Sequence, residues 1–376
     1  MTNALIIAGA AAAGAVVLTA AAASYMGRML VAWNWPESTK ILGFTDDTIT
    51  LKSTPLTRYS GTYGLRTPTG HARVGGIVSD DGRAVVRTLE AEHGDIRNAA
   101  SGAFDGDVHA TPDEVGRPYS DVIIETPAGP APAWQFGPDG NDLWVLHVHG
   151  FQADRNNVLR MVEAMLPTAG AATHLVVSYR GDGQGPATPA GTTRLGLDEW
   201  EDVDAALAYA ARHGATRIIM AGWSMGAAIS LLIEERSAYR DLIIGNVFVS
   251  PATDWIATMR TSAERMGIPL PAAASAFTAG VLRSPLTSWL TGLRRPVDFA
   301  ELDWTRPGRV HVPTLVIHSV GDLTIPISAT RRFVEAGAPL VELHETRRAP
   351  HTREYNEDPE GFTQAVSTWL TRALVA

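Results

Sequence analysis

The chain has no cysteine among its 376 residues. That excludes disulfides, thiolate metal sites and a cysteine nucleophile, so any covalent chemistry must use another side chain. Lysine is almost missing too, Lys40 and Lys52 being the only two, and arginine carries the remaining positive charge. Basic charge is in deficit overall: 31 Lys and Arg stand against 40 Asp and Glu, a formal net charge of −9. Such a balance gives no basic field for nucleic acid or an anionic lipid surface, and neutral or apolar partners fit better. What is present is apolar bulk: 45% hydrophobic and 19% charged residues make a globular chain able to bury a full core.

Charge is also missing from one long run. Ala4 to Ser24 has none, and at about 1.5 Å per helical residue it would span roughly 30 Å, the thickness of a bilayer core. A membrane-anchor helix within residues 1–33 is the expectation. The alternatives are a cleaved signal ending near Ala21 to Ala23, or a buried helix. The first residues, Met1 to Leu5, lack Lys and Arg, whereas Arg28 follows the run and Trp33 and Trp35 stand where an interface would be. That pattern leans towards an anchor with the rest of the chain on the cytoplasmic side.

Residues 34–120 read as a β-rich extension, with strands at Thr48 to Leu51, Ala72 to Ile77 and Ala84 to Leu89 separated by turn residues such as Asp80-Asp81-Gly82. From Asp121 to Ala376 apolar strands alternate with helices. Leu143 to Val148, His174 to Tyr179, Arg217 to Ala221, Asn246 to Val249, Thr314 to His318 and Val341 to Leu343 are the strands. Asn157 to Leu166, Leu197 to His213, Met225 to Glu235, Ile327 to Ala336 and Pro359 to Leu374 are the helices. This alternation predicts an α/β fold, a doubly wound, mostly parallel sheet that binds ligands at the carboxyl ends of its strands. Trp255 to about Trp304 breaks the pattern as a helical stretch, placed where a cap would be inserted. Its apolar positions suggest a medium or long acyl or an aromatic group as ligand.

Gly222-Trp223-Ser224-Met225-Gly226 is a G-x-S-x-G sequence with an apolar strand running into it and a helix leaving it. That context predicts a sharp strand-to-helix turn presenting the Ser224 hydroxyl above the sheet, although a capping serine in a glycine-rich turn would read the same way. An alcohol needs a base and the base needs an orienting carboxylate. His351, after the last strand, and Asp322, after Thr314 to His318, supply them in the chain order Ser, Asp, His; Asp254 is the reserve acid. The oxyanion donors expected are the N–H groups of Met225 and of Phe151 in His149-Gly150-Phe151-Gln152, with Gln152 the alternative to Phe151. His147 and His149 point to one side of a strand, but no third ligand is spaced to make a metal site with them. No cofactor is implied.

The His-Gly loop, the serine elbow, the acid loop and the terminal histidine, in this order, resemble the α/β-hydrolase superfamily over Asp121 to Ala376. Tyr179-Arg180-Gly181-Asp182-Gly183 is similar to its Tyr-Arg-Gly loop, and His351 with Tyr355-Asn356 and Asp358-Pro359 resembles bacterial, esterase-like members. The resemblance implies a serine hydrolase acting on a small-molecule or lipid-like acyl ester, with Ser224 as nucleophile, His351 as base and Asp322 as its orienter. A serine peptidase, a thioesterase and an acyltransferase use the same set, and an inactive membrane-tethered binding protein would keep the same fold. The apolar run and the β-rich extension depart from the resemblance.

Overall fold

Short alternating strands close on themselves in the first part of the chain, and continuous apolar strands stack into an open sheet in the second. The computed structural model describes residues 23–32 and 38–375. Nearly all of the apolar run Ala4 to Ser24, together with Trp33 and Trp35, lies outside them. Among the described residues no helix is long and apolar enough to cross a membrane. Residues 23–31 form a helix, α1, whose buried Val31 joins the main core.

Strands β1 (Ser38–Phe44), β2 (Thr48–Lys52), β3 (Tyr63–Arg66), β4 (Gly70–Asp80), β5 (Ala84–Gly94) and β6 (Ser101–Asp105) form a closed antiparallel barrel in the order β1-β2-β5-β4-β3-β6. Ile49 and Leu51, two apart on β2, point inwards with Tyr63, Leu65, Ala72, Val74 and Phe104, the period-two pattern of a half-buried strand. One charge is enclosed with them. The buried Arg87 guanidinium donates to the carbonyls of Gly75, Thr57, Tyr59 and Gly61 at 2.7–2.9 Å and lies over the Tyr63 and Phe104 rings, so four of its five N–H donors meet an acceptor.

The second part is an eight-stranded sheet ordered β14-β13-β12-β11-β9-β10-β8-β7. Its strands are β7 (Tyr119–Thr126), β8 (Gly129–Phe136), β9 (Leu143–Val148), β10 (Thr173–Val177), β11 (Arg217–Trp223), β12 (Ile243–Val249), β13 (Thr314–Ser319) and β14 (Val341–Thr346). β9 to β14 run parallel, while β8 and β7 form an antiparallel hairpin on the β10 edge. Helices cover both faces, so the central strands are buried on both sides and read as unbroken apolar runs. α2 (Leu159–Ala169) and α9 (Pro359–Ala373) pack on one face through Met161, Met165, Val366 and Trp369. α3 (Trp200–Arg212), α4 (Met225–Arg236) and α7 (Ile327–Gly337) pack on the other through Leu207, Ile229 and Phe333.

Between β12 and β13 the chain leaves the sheet for α5 (Trp255–Arg265), α6 (Pro271–Arg283) and a single 3-10 turn, Ser288–Thr291. Helix ends there, short of Trp304, because Gly292 takes a left-handed φ of 93° and Pro296 follows. α1 lies against this insertion, with Arg28 Nη1 donating to Thr291 O at 3.2 Å.

Candidate active site

The strand order turns back at β9, which has β11 on one side and β10 on the other. A crevice opens at the carboxyl ends of the strands at such a switch point. The exit loops of β9, β11, β13 and β14 carry the residues singled out from the sequence.

Ser224 follows β11 and opens α4 with φ 52° and ψ −113°. The glycines on either side explain the bend: a Cβ on Gly222 would sit 2.7 Å from Ala227 Cα, and one on Gly226 would overlap the Val148 carbonyl oxygen. Only hydrogen fits in either place. The Ser224 side chain makes no capping bond to its helix. Its Oγ lies 2.9 Å from His351 Nε2 instead.

His351 sits on the loop between β14 and the short helix α8 (Glu354–Glu357), with a fifth of its side chain exposed. Its Nδ1 is 2.6 Å from Asp322 Oδ2. Asp322 is buried after β13, and its Oδ1 accepts the backbone N–H groups of Thr324 at 2.7 Å and Ile325 at 3.0 Å. Burial alone would raise its pKa, but the charge and hydrogen bonds of His351 and His318 hold the carboxyl well below the usual range. The reserve acid lies elsewhere. Asp254 caps α5 through Ala257 N at 2.9 Å and pairs with Arg332 at 2.8 Å.

His318 is a site neighbour that the sequence reading passed over as strand. Fully buried, it shares Asp322 Oδ2 through Nε2 at 3.1 Å and contacts Thr330 Oγ1 through Nδ1 at 2.7 Å. An i, i+4 spacing from a strand into a loop carries no signal in the sequence, so nothing there marked it. Glu354, three residues past His351, was passed over as well. Its Oε1 takes the Ser250 hydroxyl at 2.5 Å and the Ser319 N–H at 3.1 Å, and burial raises its pKa.

The β9 exit loop passes over the serine. A Cβ on Gly150 would lie 3.0 Å from Ser224 Cβ, so the loop approaches as closely as a glycine permits. His149 is fixed beneath it, stacked on Tyr179 with ring centroids 4.3 Å apart and bonded to Asp182 at 3.1 Å. Burial would raise Asp182, but the His149 hydrogen bond and charge, the Gly185 N–H and the Ser178 hydroxyl bring it down to about 2. Tyr179 Oη in turn donates to the carbonyls of His149 and Gly150 at 3.0 and 2.9 Å. His147 faces His174 at 2.9 Å, and burial depresses both imidazoles, His174 to about 4. Among the described residues no group of three His, Asp or Glu side chains is placed to hold a metal ion.

A cleft of about 250 Å³ reaches Ser224 and His351. Phe151, Gln152 and Asn157 line one side, Arg353 another, and the barrel closes it with Arg66, Asp105 and Asp107. Arg66 holds Asp154 at 2.9 Å, Asp105 at 3.4 Å and Asp107 at 3.6 Å. No residue of the helical insertion lines this cleft. The apolar acyl wall expected of that insertion is therefore not where the serine opens, and charged and polar groups stand there instead.

The barrel also reaches the histidine loop. Thr62 N donates to Asn356 O at 3.1 Å, and Asn356 Nδ2 donates to Thr62 O at 2.6 Å and Gly106 O at 3.1 Å. Ser60 and Tyr63 donate to the Glu357 carboxylate, and the buried Arg160 donates to Asn356 Oδ1 and, at 3.1 Å, to Thr352 O.

Residues 145–365 match a family model described as the alpha/beta hydrolase family. Residues 40–105 match a domain of unknown function, DUF8805. No curated protein matches the chain. Among solved structures the chain is similar to the Pyrococcus furiosus esterase Pf2001 in three crystal forms. One shares 23% identity at a TM-score of 0.53, covering 70% of this chain and 96% of that one. A second has 23% identity and a TM-score of 0.54 over 71% and 94%. The third has 21% and 0.52 over 70% and 94%. At that identity the likeness speaks to the fold.

Proposed function

This chain belongs to the alpha/beta hydrolase family, and from that premise we propose that it is a serine hydrolase of carboxylic esters working through an acyl-enzyme. The observation that carries the reading is the unbroken relay from Ser224 Oγ to His351 Nε2 at 2.9 Å and from His351 Nδ1 to Asp322 Oδ2 at 2.6 Å.

In this reading His351 takes the hydroxyl proton as Ser224 Oγ attacks the acyl carbonyl, and Asp322 stabilises the imidazolium that forms. The N–H of Met225, first residue of α4 and so without an intrahelical acceptor, and the N–H of Phe151 receive the oxyanion. His351 then hands its proton to the leaving alcohol, and a water activated by the same imidazole releases the acid. His149, Tyr179 and Asp182 hold the Phe151 loop still. The polar cleft favours a small-molecule ester over a long acyl chain. The proposed division is an N-terminal segment 1–33, a β-rich extension 34–120 and a catalytic domain 121–376 with a helical insertion at about 255–304. The uncharged run Ala4 to Ser24 supports a membrane anchor within the first segment as part of the proposal.

The test is covalent labelling of the full chain and its Ser224→Ala form with a fluorophosphonate, followed by turnover of nitrophenyl esters from acetate to palmitate. Labelling that Ser224→Ala abolishes, with turnover falling as the acyl chain lengthens, is expected. A folded wild type that does not label sinks the serine mechanism, and labelling without ester turnover points to peptide cleavage or acyl transfer.

A further inference from the structure

The outward face of the helical insertion is apolar where a solvent-facing surface is ordinarily charged. On α6 the exposed positions are Ala272, Ala273, Ala276 and Phe277, at helical spacing, with no charge until Arg283. Its buried side is the one that carries Ser275 and Thr278. Next to the two ends of the helix, Leu270 is 77% exposed, Leu286 82% and Trp289 65%. From Met266 to Leu290 the only charged residue is Arg283.

The insertion lacks the acidic excess of the whole chain, whose net charge is −9. Trp255 to Trp304 holds five arginines against four acids, Glu264, Asp298, Glu301 and Asp303, and three of those acids lie beyond Val297, outside the apolar stretch. Arg265, Arg283 and Arg294 are exposed and make no ion pair among the described residues. α1 packs on the same insertion, Gly27 against Leu282 and Thr291. The chain enters α1 from a run without a single charge between Ala4 and Ser24.

Exposed Leu and Trp side chains rimmed by unpaired arginines match the interface of an anionic bilayer, where the apolar groups enter the acyl boundary and the guanidinium groups meet headgroup phosphates. We infer that the surface formed by α6 and the turn Leu286 to Leu290 docks on an anionic lipid surface. The docking is independent of the chemistry at Ser224 and does not rest on the hydrolase reading.

The lack of native cysteine allows a direct test. Leu286→Cys in the full chain, labelled with an environment-sensitive fluorophore, is mixed with vesicles of phosphatidylcholine alone or with phosphatidylglycerol added. Val78→Cys, exposed on the barrel, is the control. A blue shift at 286 but not at 78, stronger with phosphatidylglycerol and weakened by salt, is expected. Trp289→Ser should then lower vesicle partitioning by about tenfold. A label at 286 that stays in water while the protein sediments with vesicles overturns the inference, as does no sedimentation at all. A shift that grows with protein concentration in the absence of lipid also overturns it, in favour of a second copy on this face.

Discussion

Asp322→Asn removes a charge and reverses the hydrogen-bond direction on which the proposed mechanism depends. Oδ1 of Asp322 accepts two backbone N–H groups, from Thr324 and Ile325, while Oδ2 faces the imidazoles of His351 and His318. An asparagine must leave its carbonyl oxygen with the backbone donors, so its NH2 group turns towards the imidazoles. His351 Nδ1 then accepts, its proton moves to Nε2, and an N–H meets Ser224 where a lone pair is required. Loss of the correct tautomer together with loss of imidazolium stabilisation is worth about 10⁴-fold in kcat, roughly 5.5 kcal/mol of barrier, with KM little changed. The assay is steady-state hydrolysis of nitrophenyl acetate beside fluorophosphonate labelling, on variants whose thermal transition remains cooperative. Because the Asp322 carboxyl is held well below the usual range, its protonation should add nothing to the acid limb of kcat/KM in the wild type. A variant keeping more than roughly a tenth of wild-type kcat would refute the tautomer argument, and an acid limb of slope two would refute the role given to Asp322.

Arg87→Leu leaves four barrel carbonyls without their donor and is expected to cost roughly 3–5 kcal/mol in urea unfolding. Asn356→Ala breaks the bonds to Thr62, Gly106 and Arg160; about 2–4 kcal/mol of stability should go, and kcat should fall more than KM rises. Glu234 is pushed up to about 7 by burial, despite hydrogen bonds from Asn246 and the His311 N–H. A carboxyl raised in the folded state contributes fully below its unfolded pKa, loses that contribution as pH rises towards the folded value, and is level above it. The wild type should lose up to about 3 kcal/mol relative to Glu234→Gln between pH 4.5 and 7, read as converging or crossing melting temperatures.

The strands before Ser224 and Asp322 were readable because each is an apolar run that marks its own end, whereas β14, before His351, alternates Val341 and Leu343 with polar residues. The elbow glycines were readable because a local backbone path forces them. His318 was hidden inside such a run: a buried imidazole has the same sequence context as a buried leucine until its partners, Asp322 and Thr330, are seen in space. The barrel was only partly readable. β3 is four residues long, Tyr63–Arg66, and β4 slips register between Val74 and Ile77 and again before Ser79, so alternation breaks where closure demands it. The insertion misled in a different way. Its leucines and tryptophan suggested a substrate wall, yet hydropathy cannot tell an inward from an outward apolar face when the helix lacks charge on both.

The barrel forms part of the cleft and also sets the position of the histidine loop, and Gly61 is where that claim is most exposed to test. Gly61 has a φ of 88°, and a Cβ there would overlap the Asn356 carbonyl oxygen, which accepts the N–H of Thr62 at 3.1 Å. Neither atom can yield cheaply, since both belong to backbone held by the barrel on one side and by Arg160 on the other. Gly61→Ala must therefore push α8 and the His351 loop away from the barrel, at about 2–4 kcal/mol for the strained φ and the lost contacts. A displacement near 1 Å at His351 lengthens its reach to Ser224 and costs about 10²-fold in kcat, with KM much less affected. Gly43→Ala, in the same barrel but with open space around the new Cβ, should leave both constants alone. If Gly61→Ala lowers the melting temperature while kcat stays at the wild-type value, the barrel is only a neighbour of the site, and the charged wall it lends the cleft would then bear on substrate choice alone.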